Sequence, residues 1–131
     1  MTVDFVHPDA DLSSYDAVFA PSLYLIEDDA AENLREYAAQ GGTLAFSYFS
    51  GIVSTNDNVP AGPYPGQLRD LLGLVIEEFL PLRAGERVAL SDGSRGRIWS
   101  DDIELRGATS VAAFADGPGA GRPAVTRNSF G

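Results

Sequence analysis

The side chains that most often carry acid–base, nucleophilic or metal chemistry are scarce in this sequence. It contains one histidine, His7, and no cysteine or lysine. Thiolate nucleophiles, thiolate metal sites and lysine Schiff bases are therefore excluded. Carboxylates are abundant, but the adjacent pairs Glu77-Glu78 and Asp101-Asp102 would point to opposite faces of a strand. They cannot flank one bond together, as the paired carboxylates of a glycosidase do.

Three short motifs approach functional patterns without meeting them. Ser47-Tyr48-Phe49-Ser50-Gly51 lacks the first glycine of a Gly-x-Ser-x-Gly nucleophile elbow, and only His7 is available to activate Ser50. The glycines of 117–121 do not open a helix after a strand, so a plain turn is favoured over a phosphate loop. Asn56-Asp57-Asn58 lacks the bidentate glutamate of a calcium loop. The sequence predicts no catalytic residue, no metal site and no cofactor.

Aromatic residues at a strand end are consistent with a partner surface. Tyr48 and Phe49 end an apolar run, and Tyr64 lies across a long loop from them. An exposed apolar patch of this kind marks an interface, and the equally weighted alternative is that these rings cap the local core. Trp99 is interpreted as a packing residue. The predicted interface comprises Tyr48, Phe49, Ser50, Asn56, Asp57 and Tyr64.

Charge and composition narrow the range of partners. The net charge of -10 argues against nucleic acid and anionic membranes, which require basic patches. No apolar run approaches the roughly 18 residues of a membrane span, and no signal-peptide pattern is present. With 131 residues the chain is expected to be one domain, and we expect a cytoplasmic protein.

The first half of the sequence has the pattern of a strand–helix–strand unit that would position the Tyr48 region. Ala17-Val18-Phe19-Ala20 is a continuous apolar run, typical of a strand buried on both faces. Helical periodicity extends from Glu27 to Gln40 and stops at Gly41-Gly42. A second apolar strand follows from Thr43 to Phe49, so the two strands should be parallel. An earlier short strand is predicted over 3–6, ended by Pro8.

The second half has the pattern of short strands. A loop spans Ile52 to Tyr64, and a short helix should follow Pro65 and end at Gly73. Strands are predicted over 75–82, 87–90, 96–105, 110–115 and 123–128. Asp92-Gly93 indicates a hairpin, and the glycines of 117–121 indicate a second turn, so part of this half could be antiparallel.

Taken in order, these motifs resemble the middle, trimerisation domain of the family 42 glycoside hydrolases, the bacterial β-galactosidases. The resemblance covers almost the whole chain. The segments that carry it are Pro21-Ser22-Leu23-Tyr24-Leu25, the helix ending at Gly41-Gly42, Ser47-Tyr48-Phe49-Ser50-Gly51, Asn56-Asp57, Tyr64-Pro65-Gly66, Leu68 to Gly73, Val75 to Phe79, Ala115-Asp116-Gly117 and Gly121 to Asn128.

The resemblance implies an α/β fold: a doubly wound, mainly parallel sheet of the flavodoxin-like or class I glutamine amidotransferase-like kind, with extra β strands in the C-terminal half. It implies that residues 1–131 form a single, trimmed domain that helps to hold a homotrimer. It also implies retaining hydrolysis of β-galactosides by two glutamates of a barrel domain that this chain lacks. The amidotransferase's catalytic cysteine is absent.

Two alternatives remain open at this point. The first is a stand-alone, degenerate amidotransferase-like domain that binds a small molecule in the strand-end crevice near Ser22 and Ser50. The second is a carbohydrate-binding module, which a single tryptophan and scattered tyrosines do not favour.

Overall fold

The computed structural model describes residues 2–59 and 61–131, and its first half contains the predicted strand–helix–strand unit. Strand β1 (Ala17–Ala20) leads to helix α1 (Asp28–Ala39) and then to strand β2 (Thr43–Phe46). The two strands pair in parallel, with Ala17 opposite Thr43 and Ala20 opposite Phe46. The parallel βαβ prediction is therefore confirmed, although β2 ends at Phe46 rather than at Phe49, two residues before Tyr48.

Helix α1 forms because its apolar residues recur at helical spacing and bury one face. Asp28 and Asp29 occupy the first turn, where the helix dipole favours anions. Tyr37 is buried and its hydroxyl donates to the carbonyl oxygen of Tyr15 at 2.8 Å, so the polar end of the ring is satisfied. The buried core around this helix consists of Leu12, Ile26, Ala30, Ala31, Leu34, Tyr37, Leu68 and Leu71.

The second half is built from antiparallel strand pairs. A 3-10 turn (Gly66–Leu68) and helix α2 (Arg69–Leu72) precede six strands. These strands are β3 (Leu74–Pro81), β4 (Arg87–Ala89), β5 (Arg95–Arg97), β6 (Trp99–Leu105), β7 (Thr109–Ala113) and β8 (Pro123–Arg127). The pairs are β3 with β6, β4 with β5, and β7 with β8.

Helix α2 ends at Gly73, which has a φ of 64° and whose N–H donates to the Arg69 carbonyl oxygen at 2.8 Å. The Asp92-Gly93 turn joins β4 to β5, and the glycine-rich turn joins β7 to β8. The short helix and both turns are therefore confirmed.

The predicted doubly wound, mainly parallel sheet is wrong. Among the described strands only β1 and β2 pair in parallel, and the remaining pairs are antiparallel two-stranded sheets. A doubly wound sheet needs repeated crossover helices on both faces, whereas short turns such as Asp92-Gly93 permit only antiparallel neighbours. The flavodoxin-like and class I glutamine amidotransferase-like comparison fails for the same reason.

Two details of the predicted strands are also wrong. Residues 3–6 form no strand, and Phe5 is 99% exposed. Strand β1 is not buried on both faces, since Phe19 is 76% exposed. Exposure alternates along β1: Val18 packs against the core around helix α1, whereas Phe19 lies on the opposite, exposed face. Among the described residues no helix has the length and apolar character needed to cross a membrane.

Candidate interaction surface

Six aromatic side chains from both halves of the chain meet in one cluster, which we call the aromatic cluster. Its members are Tyr24, Tyr48, Phe49, Tyr64, Phe79 and Trp99. Phe49 lies at its centre, with ring centroids 4.2 Å from Trp99 and 5.6 Å from Tyr48. Two of the ring pairs, Tyr24 with Phe49 and Phe49 with Phe79, are edge-on, an arrangement that the aromatic quadrupole favours.

The backbone at Phe49 is held in an unusual conformation by the buried side chain of Ser50. Phe49 has a φ of 59°, in the left-handed region that few non-glycine residues adopt. The Ser50 hydroxyl donates to the Ser47 carbonyl oxygen at 2.9 Å and accepts the Leu23 N–H at 3.1 Å. These two bonds tie the chain after β2 to the segment after β1, and the turn directs the Phe49 ring toward Trp99.

Strands β3 and β6 supply the opposite side of the cluster. Their antiparallel register places Pro81 opposite Trp99 and Phe79 opposite Asp101. The Trp99 Nε1–H donates to Asp101 Oδ1 at 2.8 Å, which satisfies the indole and fixes the orientation of its ring. Burial raises the pKa of the Asp101 carboxyl above its ordinary value, and the indole hydrogen bond opposes that shift.

The aromatic cluster lies at the surface rather than inside the core. Tyr24 is 49% exposed and Tyr48 is 37% exposed, while the other four rings are half-buried. Half-buried aromatic rings of this kind combine a large apolar area with low conformational entropy, which suits a contact surface. The same rings also cover the junction between β2 and the β3–β6 sheet, and the interface role of Tyr48 and Phe49 stays a prediction.

The structure brings together only part of the predicted interface. Tyr48 and Phe49 are in contact, and Tyr64 joins them through Phe79, with centroids 5.1 Å apart. Ser50 is 4% exposed, so it lies beneath the surface and is not itself available for contact with a partner. Asn56 and Asp57 are exposed on the loop, and no hydrogen bond among the described residues ties their side chains to the cluster. Pro60 of that loop lies outside the described residues.

A groove of about 760 Å³ runs beside the cluster, between β2 and the β3–β6 sheet. Its walls include Leu44, Phe46, Ile76, Trp99 and Asp101, and Ser47 and Ser50 lie at the end near the aromatic cluster. The described residues contain no group of three or more His, Asp or Glu side chains placed to hold a metal ion.

Comparison with protein families gives a match over the whole chain. A family model described as the β-galactosidase trimerisation domain matches residues 1–131. The chain is 47% identical over 134 residues to β-galactosidase BgaB of Geobacillus sp. (strain Y412MC61), covering 100% of this chain and 20% of that protein. It is 46% identical over 131 residues to a β-galactosidase of Arthrobacter sp., covering 100% of this chain and 19% of that protein.

Solved structures agree with the sequence comparison. The crystal structure of the cold-adapted β-galactosidase from Rahnella sp. R3 superimposes with a TM-score of 0.92 at 34% identity, covering 100% of this chain and 21% of that one. The chain therefore spans about 20% of the length of the curated relatives that it matches.

Proposed function

The chain belongs to the β-galactosidase trimerisation domain family, and on that basis we propose that it holds copies of its parent protein together in a homotrimer. The observation that carries this proposal is the aromatic cluster, in which Tyr48 and Tyr24 are exposed around the central Phe49. Tyr48, Phe49 and Tyr64 would contact the neighbouring copy, with Phe79 and Trp99 beneath them. Ser50 would position Phe49, and Asn56 and Asp57 would lie at the polar rim.

Substitution of exposed aromatics in the full-length protein tests this proposal. Tyr48→Ser with Phe49→Ser removes two rings from the aromatic cluster, and sedimentation velocity should show dissociation of the trimer at concentrations where the unsubstituted protein stays assembled. Phe19→Ser is the matched control, because Phe19 is 76% exposed and lies outside the cluster. An unchanged trimer in the double variant, or equal weakening by Phe19→Ser, would exclude this surface.

The activity of the parent protein is a second part of the proposal. The relatives that cover this chain are named β-galactosidases, and the chain corresponds to about 20% of their length. We propose that the parent protein hydrolyses β-galactosides with retention of configuration, using two glutamates of a barrel domain outside this chain, and that it acts in the cytoplasm. Hydrolysis of a chromogenic β-galactoside by the full-length protein, with the stereochemistry followed by NMR, tests the reaction, and cell fractionation tests the location.

The groove beside the aromatic cluster favours one alternative, the binding of a small molecule. It combines apolar walls with the hydroxyls of Ser47 and Ser50 and the buried carboxyl of Asp101, a mixture that suits a polar ligand. Galactose or lactose bound there would change the fluorescence of Trp99, the single tryptophan of the chain. A saturable change would support the alternative, and a flat titration would exclude binding of these sugars at this groove.

A further inference from the structure

A second surface feature, the hairpin of β4 and β5 with its flanking residues, stands out by its charge. We call residues 83–97 the arginine hairpin, because they hold four of the nine arginines: Arg83, Arg87, Arg95 and Arg97. All four are exposed. The hairpin therefore carries a net positive charge in a chain whose formal net charge is -10.

The four positive charges of this hairpin are only partly offset by its two carboxylates, Glu86 and Asp92. The register of β4 and β5 places Arg87 directly opposite Arg97, and like charges in that position are destabilising. The two carboxylates of the hairpin form hydrogen bonds with its backbone rather than ion pairs: Glu86 accepts the Arg83 backbone N–H at 2.8 Å, and Asp92 accepts the Ser94 N–H at 2.9 Å. Among the described residues, none of these four arginines forms an ion pair.

An exposed apolar side chain lies among these arginines. Ile98 separates β5 from β6, has a φ of 79° and is 57% exposed. A β-branched residue in this conformation is strained, and strain of this kind concentrates at functional positions. Ile98, Leu82 and Ala84 form the apolar part of a concavity of about 370 Å³. Its charged lining consists of Arg83, Arg87, Arg97 and Glu86. Arginine is enriched at protein interfaces, which combine an apolar centre with a polar rim.

Helix α1 carries the complementary charge on a different part of the domain. Asp28, Glu32 and Glu36 follow each other at four-residue spacing on its exposed side, where like charges destabilise a helix. Glu32 pairs with Arg35 at 3.1 Å, and Glu36 has no ion-pair partner among the described residues. The helix packs in the core around Leu34, whereas the hairpin packs in a separate core around Val88. Among the described residues, no ion pair joins the two charged surfaces within one copy.

A ring of three identical copies requires two different surfaces on each copy that fit one another. We propose that the arginine hairpin of one copy docks on the acidic side of helix α1 of the next copy. This inference rests on the homotrimer proposed above and names its second pair of surfaces. Ile98 alone separates the arginine hairpin from Trp99, the first residue of β6 and a member of the aromatic cluster. The arginines form the charged rim of the contact, and the aromatic cluster forms its apolar part.

Charge reversal in the full-length protein tests this docking. In Arg87→Glu the new carboxylate lies opposite Arg97, so the hairpin gains an attractive cross-strand pair while its charge falls. We expect the trimer to dissociate at least tenfold more readily, and the affinity to depend less on salt than in the unsubstituted protein. Arg106→Glu is the control with the same change in charge, because Arg106 is 60% exposed and pairs with Glu104 outside the hairpin.

A complementary substitution identifies the partner surface. Glu36→Arg places a cation four residues after Glu32, which favours the helix, and it should weaken the trimer on its own. Combined in one chain, Glu36→Arg and Arg87→Glu should restore at least part of the lost affinity. Failure of Arg87→Glu to weaken a trimer that Tyr48→Ser and Phe49→Ser do weaken would overturn the docking while leaving the proposed function intact. A monomeric unsubstituted protein would overturn both.

Discussion

The rings of Phe49 and Trp99 lie 4.2 Å apart between centroids, at an interplanar angle of 45°. Phe49 belongs to the strand–helix–strand half of the chain and Trp99 to the antiparallel half. Their contact joins the two halves at the surface, beside the core that Leu68 and Leu71 form with helix α1. The stability of this junction and the shape of the proposed interface therefore depend on the same side chains.

The left-handed backbone conformation of Phe49 should make glycine at least as good a substitute as alanine at this position. Phe49→Ala and Phe49→Gly both remove a half-buried ring, and each should lower the free energy of unfolding by roughly 2 kcal/mol. At an ordinary position glycine is the worse substitute, but at a φ of 59° it avoids a backbone penalty of about 1 kcal/mol. We expect Phe49→Gly to be at least as stable as Phe49→Ala in urea unfolding. A clearly more stable alanine variant would contradict the left-handed conformation.

The buried hydroxyl of Ser50 should contribute to stability through its two hydrogen bonds. Ser50→Ala leaves the Leu23 N–H and the Ser47 carbonyl oxygen without this partner. The expected loss in the free energy of unfolding is about 1–3 kcal/mol. Ser14→Ala is the matched control, since Ser14 is exposed and forms no hydrogen bond among the described residues. Equal midpoints for both variants in urea unfolding would show that the Ser50 bonds are unimportant.

Several elements of this fold follow from local sequence patterns, and the overall architecture does not. Helix α1 is predictable because two signals agree on its position: its apolar residues recur at helical spacing, and that spacing stops at the glycines that follow the helix. The β4–β5 hairpin is predictable from Asp92-Gly93. The sheet topology depends on which strands pair, and the apolar run at β1 indicates only that a strand forms. It does not indicate what packs against the two faces of that strand, and in the structure Phe19 is exposed on one of them.

The aromatic cluster could be predicted only in part, because its composition also depends on which strands pair. Tyr48 and Phe49 are recognisable from their position after an apolar strand. Phe79 and Trp99 share a face only because β3 contains a register shift between Ile76 and Glu78, which brings Phe79 onto the face of Ile76. An alternating pattern without that bulge would place Phe79 on the other face. Neither the bulge nor the partner strand of β6 has a clear local signal.

The raised pKa of Asp101 predicts a specific dependence of stability on pH. A carboxyl whose pKa is higher in the folded than in the unfolded chain binds its proton more tightly when folded. Its contribution to stability is therefore most favourable below the unfolded pKa and is lost as the pH rises through the folded pKa. Asp101→Asn removes this ionisation and keeps an oxygen that can accept the Trp99 indole N–H.

We expect Asp101→Asn to stabilise the protein, relative to the unsubstituted chain, more at pH 7 than at acid pH. Thermal unfolding of both proteins across the acid range measures the difference, and the comparison cancels the titration of the other carboxylates. A difference between the two proteins that does not change with pH would contradict the raised pKa of Asp101.

The approach of Gly51 to Pro65 gives a final prediction, which concerns how the chain beneath the aromatic cluster is packed. A Cβ atom on Gly51 would clash with the Pro65 carbonyl oxygen, and the backbone φ of 66° is also unfavourable for alanine. Gly85 has a φ of 82°, and no heavy atom lies within 4 Å of the corresponding Cβ position. Gly85→Ala should therefore reduce stability only by the backbone penalty, about 1 kcal/mol.

Gly51→Ala should exceed that loss by a further 1–3 kcal/mol, roughly the range for overpacking, because a backbone oxygen must move. The movement would displace Tyr64, the residue before Pro65, from its contact with Phe79. Urea unfolding of the two variants isolates the effect of the contact, and the near-ultraviolet circular dichroism of the aromatic rings reports the displacement. Equal losses in the two variants would show that the chain at Gly51 does not approach Pro65 this closely.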